Sequence, residues 1–306
     1  MLKVVFFGTP QIALPSLEFL NASHDIEIVG IVTQPDKPVG RGQKIQFPPL
    51  KEFGINNDIP VFQPKSIRKE PDVINALKAL DPDFFVTFAF GQILSQEVLD
   101  IPKYETINLH ASLLPKYRGA NPIQRAIING DNQTGICTMI TELGLDSGDV
   151  CIKLPIKIGD DMTCVDLYKE ISEKSPKLIY ETLIGLIDKT IKPMAQPSDG
   201  ITQAPKLTKE ETIINWKKSA REIHNLVRGI YNMPSAYFLY GEKIIKVLKT
   251  KVLNNETPNS TPGEFVNVSQ EGIEVNCGLG KLLLQIVKPE GKGQMSARDW
   301  YNGIRK

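Results

Sequence analysis

Asn108 and His110 stand two residues apart at the end of a β-like apolar run, residues 106–109. Alternation along a strand turns both side chains to one face. In open α/β sheets, ligands bind beyond the carboxyl ends of the strands. An amide beside an imidazole there places a polar pair at a likely cleft. The chain has only two other histidines: His24 lies in a polar turn, and His224 on a helix-like stretch near the C-terminus. A hydrogen-bonded structural histidine would show the same spacing. The second chemical element is Gly144-Leu145-Asp146-Ser147-Gly148-Asp149. Glycines on both sides allow a tight loop that presents a carboxylate to a cleft, where Asp146 could orient an imidazole. An ordinary Asp-Gly turn is the plainer reading of that stretch.

Positioning such groups takes a scaffold, and the first half of the chain has the pattern of one. Strands are predicted at 3–7, 26–33, 84–88, 106–109, 136–139 and 150–156, with helices at 15–20, 73–80, 122–128 and 164–186. Strands separated by helices predict an α/β, Rossmann-like, doubly wound domain with a parallel sheet. Residues 192–206 (KPMAQPSDGITQAPK) hold three prolines and a glycine without periodicity, which predicts a linker. Beyond it come a helix at 220–230 and β runs at 236–240, 243–253, 263–268, 272–277 and 281–287. Closely spaced strands after one helix predict a small barrel. The expected organisation is a domain over 1–190, a linker over 191–206 and a smaller domain over 207–306.

Composition narrows the class. Of 306 residues, 41% are hydrophobic and 23% charged, which excludes a disordered or collagen-like chain. No apolar run is long enough to span a bilayer, so a membrane protein is not expected and a cytoplasmic location is. The four cysteines, at 137, 151, 164 and 277, form no Cys-x-x-Cys pair and have no histidine at zinc spacing. Reduced thiols and no metal are expected. The net charge of +1 hides an asymmetry: residues 206–306 hold 16 Lys/Arg against 10 Asp/Glu. A basic C-terminal third suggests a polyanionic partner, although clustered solvated lysines would look alike.

Asn108-Leu109-His110, Ser112-Leu113-Leu114-Pro115-Lys116-Tyr117-Arg118-Gly119 and Gly144-Leu145-Asp146-Ser147-Gly148-Asp149 together resemble the formyltetrahydrofolate-dependent formyltransferases. Phe7-Gly8-Thr9-Pro10, Thr33-Gln34-Pro35-Asp36-Lys37-Pro38 with Gly40-Arg41-Gly42, and Ala204-Pro205-Lys206-Leu207-Thr208 with Ile214-Asn215-Trp216 are similar to the members that act on an aminoacylated tRNA. The resemblance implies a catalytic triad of Asn108, His110 and Asp146. It implies 10-formyltetrahydrofolate as formyl donor, bound by Ser112, Leu113, Leu114 and Pro115, with Phe90, Gly91 and Gln92 as another wall. It also implies initiator methionyl-tRNA as acceptor, a monomeric protein and an OB-like C-terminal barrel.

The basic stretch 34–49, read as an irregular loop, carries Lys37, Arg41 and Lys44 and would suit the acceptor end of a tRNA. A solvated surface loop is the plain alternative, as core packing is for Leu113 and Leu114. A nicotinamide enzyme is disfavoured, because Gly-x-Gly-x-x-Gly is absent after the first strand. An amino-sugar nucleotide or glycinamide ribonucleotide as acceptor stays open, as does a catalytically silent RNA-binding protein on the same fold.

Overall fold

The run LKVVFFG has no polar alternation, and it forms β1 (Leu2–Gly8), buried from Val4 onward. A central strand of a sheet covered on both faces must read this way. In the computed structural model, which describes residues 1–39, 44–254, 256 and 261–304, the chain continues through α1 (Leu14–Asn21), β2 (Ile26–Val32), β3 (Lys37–Val39), β4 (Lys44–Gln46), α2 (Pro49–Asn56), β5 (Val61–Phe62) and α3 (Pro71–Ala79). Next come β6 (Phe84–Phe88), α4 (Gln96–Leu99), β7 (Glu105–His110), α5 (Pro122–Ile128), β8 (Gln133–Ile140), β9 (Val150–Lys157) and α6 (Cys164–Ile187). The last elements are α7 (Ala220–Gly229), β10 (Tyr237–Tyr240), β11 (Lys243–Asn254), β12 (Phe265–Val268), β13 (Ile273–Asn276), β14 (Lys281–Pro289), β15 (Met295–Ser296) and α8 (Ala297–Ile304).

Two compact units emerge. The first comprises Met1–Gly119, Gly135–Ile156 and Tyr168–Gln203. Its seven-stranded sheet has the order β5-β2-β1-β6-β7-β8-β9. Neighbours from β5 to β7 are parallel, but β8 runs antiparallel to β7, pairing Cys137 with His110 and Ile140 with Ile107. The sheet is therefore mixed, where the strand–helix alternation predicted a parallel one. The connection out of β7 holds one helix of seven residues, α5, which packs on α7 in the second unit instead of covering this sheet. Strand order reverses at β1, which has β2 on one side and β6 on the other. The carboxyl ends of β1, β6 and β7 therefore lie side by side, where open sheets bind ligands. Beneath them the Phe7 and Phe85 rings sit 4.8 Å apart in a core shared with Leu77 and Phe90.

The second unit comprises Ala120–Thr134, Lys157–Leu167 and Ala204–Lys306. Its sheet has the order β10-β11-β14-β13-β12, all antiparallel, with β15 on β14. Among the described residues β10 and β12 do not pair, so the OB-like barrel expected takes the form of a curled antiparallel half-barrel. Register breaks between β11 and β14, at Val247/Lys249, Lys249/Thr250 and Val252/Asn254, account for the curl, because bulges bend and twist a strand. The helix α7 starts at a capping box made by Ser219 and Glu222 and buries Ile223 and Val227 in this unit's core. Phe238 sits at the centre of an aromatic group, 5.6 Å from Trp216 and 5.8 Å from Trp300.

Packing does not divide the chain into the three contiguous stretches the sequence suggested. Residues 120–134 and 157–167 belong with the C-terminal strands, where α5 packs on α7. The expected linker is not a free tether. Met194 pairs with Val150, Thr202 meets Tyr117 and Arg118, and Ala204 is fully buried.

His224 gives the second unit a pH dependence. Its Nδ1 lies 2.8 Å from Thr250 Oγ1, and its Nε2 donates to the Asp160 carbonyl at 3.1 Å. Burial lowers its pKa below 6.5, outweighing the Asp160 hydrogen bond, and Arg228 and Arg221 push the same way as burial. The unfolded chain therefore binds this proton more readily than the folded one. Stability is held above the unfolded pKa, about 6.5, and falls as pH drops below it. The urea midpoint is expected to fall between pH 7.5 and 5.5, and His224→Gln should flatten that slope. An identical slope in the variant would remove His224 as its cause.

Candidate active site

Asn108 is set by its strand neighbour. It pairs with Thr87 across β6 and β7, and Thr87 Oγ1 donates to Asn108 Oδ1 at 2.8 Å. That bond fixes the amide's orientation and leaves the Nδ2 end to donate elsewhere. Thr87 was not among the expected site residues. Its signal was present, as the one polar side chain inside the buried run FFVTF.

His110 ends β7 and is 6% exposed. Its Nε2 lies 2.8 Å from the Tyr117 carbonyl. A carbonyl only accepts, so Nε2 carries the proton here. Nδ1 then faces Asp146 Oδ2 at 3.6 Å, longer than a hydrogen bond and within ion-pair range. Asp146 Oδ2 in turn accepts from the Gly119 amide at 2.7 Å. The three expected catalytic residues come from β7 and the loop after β8, and the fold brings them together.

Both turns at this site hold their backbones in costly conformations. Tyr117 has φ 62° and Asp146 has φ 48°, left-handed values that disfavour side chains by about 1–2 kcal/mol each. Such strain gathers where geometry serves function. Gly148 lets the Asp146 loop close, because a Cβ there would collide with the Ile140 carbonyl.

The expected folate residues divide by burial. Ser112 is fully buried, and its Oγ donates to the Lys116 carbonyl to close the turn. Leu114 is 1% exposed and packs with Cys137, Met139 and Val150, so its side chain is core, the plain alternative to a folate contact. Leu113 lies over Gly135. Pro115 is half-buried and its carbonyl accepts from Thr202. Phe90 is also buried, edge-on to Phe7 at 5.4 Å. The side chain of Gln92 is occupied with the Ile67 amide and the Pro64 carbonyl, so it braces a loop. Gly91, at φ 81°, is exposed and presents only backbone.

The basic stretch is not the irregular loop expected. Lys37–Val39 and Lys44–Gln46 pair as an antiparallel hairpin. Lys37 is exposed, Lys44 begins the second strand, and Arg41 lies outside the described residues. The hairpin's root is tied down by residues the sequence reading missed. Gln63 Nε2 donates to the Gln34 carbonyl and to Asp36 Oδ1, and Lys51 pairs with Asp36 at 2.6 Å. The Gln63 bond first, and Lys51 next, hold the Asp36 carboxyl below its ordinary range.

A sequence model of the family described as "Formyl transferase" matches residues 2–183, and one for "Formyl transferase, C-terminal domain" matches residues 206–305. The chain belongs to the formyl transferase family. It is 45% identical to a methionyl-tRNA formyltransferase of Acetivibrio thermocellus, over 99% of this chain and 96% of that protein. It is equally similar to one from Clostridium acetobutylicum, over 99% and 97%. Among solved structures it resembles an N-formyltransferase from Helicobacter canadensis, in complex with folinic acid and dTDP-3-aminofucose, with TM-score 0.70 and 22% identity over 93% of this chain and 99% of that one. At that identity the likeness speaks for the fold.

The thiols of this formyl transferase are poor nucleophiles. Burial pushes Cys137 and Cys151 up to about 12, and Cys164 and Cys277 up to about 11. The thiolate is the reactive form, so the acyl chemistry falls to other groups. Among the described residues there is no cluster of His, Cys, Asp and Glu able to hold a metal, and no helix long and apolar enough to cross a membrane.

Proposed function

We propose that this formyl transferase moves the formyl group of 10-formyltetrahydrofolate to the amino group of initiator methionyl-tRNA. The observation that carries the reading is the convergence of Asn108, His110 and Asp146 at one strand end, in a chain 45% identical to methionyl-tRNA formyltransferases along nearly its whole length.

The amine attacks the formyl carbon, a C–N bond forms, and the carbonyl oxygen becomes an oxyanion. Asn108 Nδ2, oriented by Thr87, donates to that oxygen; losing such a donor costs about 3 kcal/mol of transition-state stabilisation. The proton leaving the amine passes to His110 Nδ1, the ring nitrogen not engaged with the Tyr117 carbonyl, and on to the folate nitrogen as the oxyanion collapses and the C–N bond to folate breaks. Asp146 holds the imidazole and balances its charge during the transfer. The formyl carbon is already electrophilic, so these side chains suffice for the steps described.

The basic C-terminal third supports a tRNA acceptor, with 16 Lys/Arg against 10 Asp/Glu over residues 206–306. Lys37 and Lys44, on a hairpin anchored near the strand ends, and Arg41 by its sequence motif are the groups we assign to the acceptor arm. The test is formyl transfer to charged initiator tRNA, together with tRNA affinity against salt. Each C-terminal Lys or Arg that contacts phosphate should remove about one unit of salt slope when replaced. Arg41→Ala should lower kcat/KM for tRNA with folate parameters unchanged. Transfer to an amino-sugar nucleotide but not to tRNA would overturn the acceptor assignment and keep the chemistry.

A further inference from the structure

Gln196 lies in the stretch that the sequence marks as a linker, yet its amide is saturated. Nε2 donates to the Asp146 carbonyl at 2.9 Å and to the Gly148 carbonyl at 2.8 Å. Oε1 accepts from Arg118 Nη2 at 2.7 Å and from Arg118 Nε at 3.2 Å. A primary amide has two N–H donors and two acceptor lone pairs, and here all four are used within the site's two turns. One side chain thus ties the Asp146–Gly148 turn to Arg118. On either side of Arg118, the Tyr117 carbonyl receives His110 Nε2 and the Gly119 amide donates to the Asp146 carboxylate.

The backbone around Gln196 is pinned at both ends. Met194 and Val150 exchange hydrogen bonds in both directions, at 2.8 and 3.0 Å, just after the Asp146 loop. Eight residues on, Thr202 Oγ1 accepts from the Tyr117 amide at 2.8 Å, and the Thr202 carbonyl accepts from the Arg118 amide at 2.9 Å. Residues 194–202 therefore form a strap across two turns that are strained at Tyr117 and Asp146. A strained loop keeps its geometry only where its surroundings over-determine it, and Gln196 is the side chain that bonds to both turns.

We propose that Gln196 is a positioning residue for formyl transfer, holding the Asp146 loop against the Tyr117 turn and so setting the His110–Asp146 spacing. The inference rests on His110 and Asp146 being the proton-relay pair of the proposed function. Misplacement by about 1 Å can cost a hundredfold in rate. Gln196→Leu keeps most of the volume and removes all four bonds. Gln196→Glu keeps the pairing with Arg118 but sets oxygen against the carbonyls of Asp146 and Gly148.

The test measures kcat, KM for 10-formyltetrahydrofolate and the NMR resonances of the His110 imidazole in the full chain, with Asp146→Asn as reference. The other two histidines, His24 and His224, serve as internal controls for the fold. Both Gln196 variants are expected to lose about 10–100-fold in kcat with donor KM within about twofold. Their His110 resonances should move toward those of Asp146→Asn, while His24 and His224 keep their wild-type shifts. A kcat within about threefold of wild type in either folded variant would overturn the proposal, as would a loss of kcat with the His110 resonances unmoved. Should Gln196→Leu not fold, Gln196→Glu decides. Should the wild type transfer no formyl group, the proposed function fails on its own, and the His110 resonances still tell whether Gln196 sets the pair.

Discussion

His110→Ala is expected to lower kcat for formyl transfer by about 10²–10⁴-fold, the range for a removed acid–base group, with a folded protein and little change in donor KM. Asp146→Ala should approach the same loss. The two residues act as one unit, His110 Nδ1 facing Asp146 Oδ2 at 3.6 Å, so the double variant should fall little below the worse single one. Thr87→Val tests the other arm. It frees the Asn108 amide that Thr87 orients at 2.8 Å and should cost less than Asn108→Ala, which removes the donor. Single-turnover kinetics on purified variants with unchanged thermal midpoints are the measurement. Wild-type rates in folded His110→Ala would remove the relay, and equal losses in Thr87→Val and Asn108→Ala would show that orientation is the whole of the amide's role.

Leu114→Asp is expected to damage the fold rather than folate affinity. The resemblance pointed to Leu114 as a folate contact, but the side chain is 1% exposed among Cys137, Met139 and Val150. Losing its packing and burying a carboxylate there should destabilise by at least about 3 kcal/mol. For a chain of this size that lowers the melting temperature by about 5 °C or more. Leu114→Ala separates the two effects, since it opens a cavity without adding charge. It should lower the midpoint while KM for 10-formyltetrahydrofolate in the folded fraction stays near wild type. A large rise in KM with an unshifted midpoint would return Leu114 to the folate pocket.

The sequence by itself determined most of the secondary structure and the chemistry. Strands such as β1 and β6 are unbroken apolar runs, and a strand buried on both faces has no other way to be written. The α6 helix was legible over nearly its full length, Cys164–Ile187, because helical spacing over many turns is a strong signal. Asn108 and His110 were legible for a similar local reason: residues two apart on a strand share a face whatever lies around them. The elements that escaped, such as the β3–β4 hairpin with three residues a side and α8 at the C-terminus, are too short for periodicity to show.

Only the tertiary structure decided which residues meet. Asp146 lies 36 positions from His110, and nothing in its Asp-Gly surroundings says that its carboxylate turns toward Nδ1 and the Gly119 amide. The antiparallel entry of β8 beside β7 brings its following loop back to His110, a pairing no local pattern encodes. Burial placed the Leu114 and Phe90 side chains in the core, and hydrogen bonds to Ile67 and Pro64 hold that of Gln92, which no motif announces. The proline-rich stretch around Gln196 shows the limit most sharply. Its composition says only that it cannot be helix or regular strand. The donors and acceptors it finds in the 115–118 and 146–148 turns, far away in sequence, make it a strap rather than a tether.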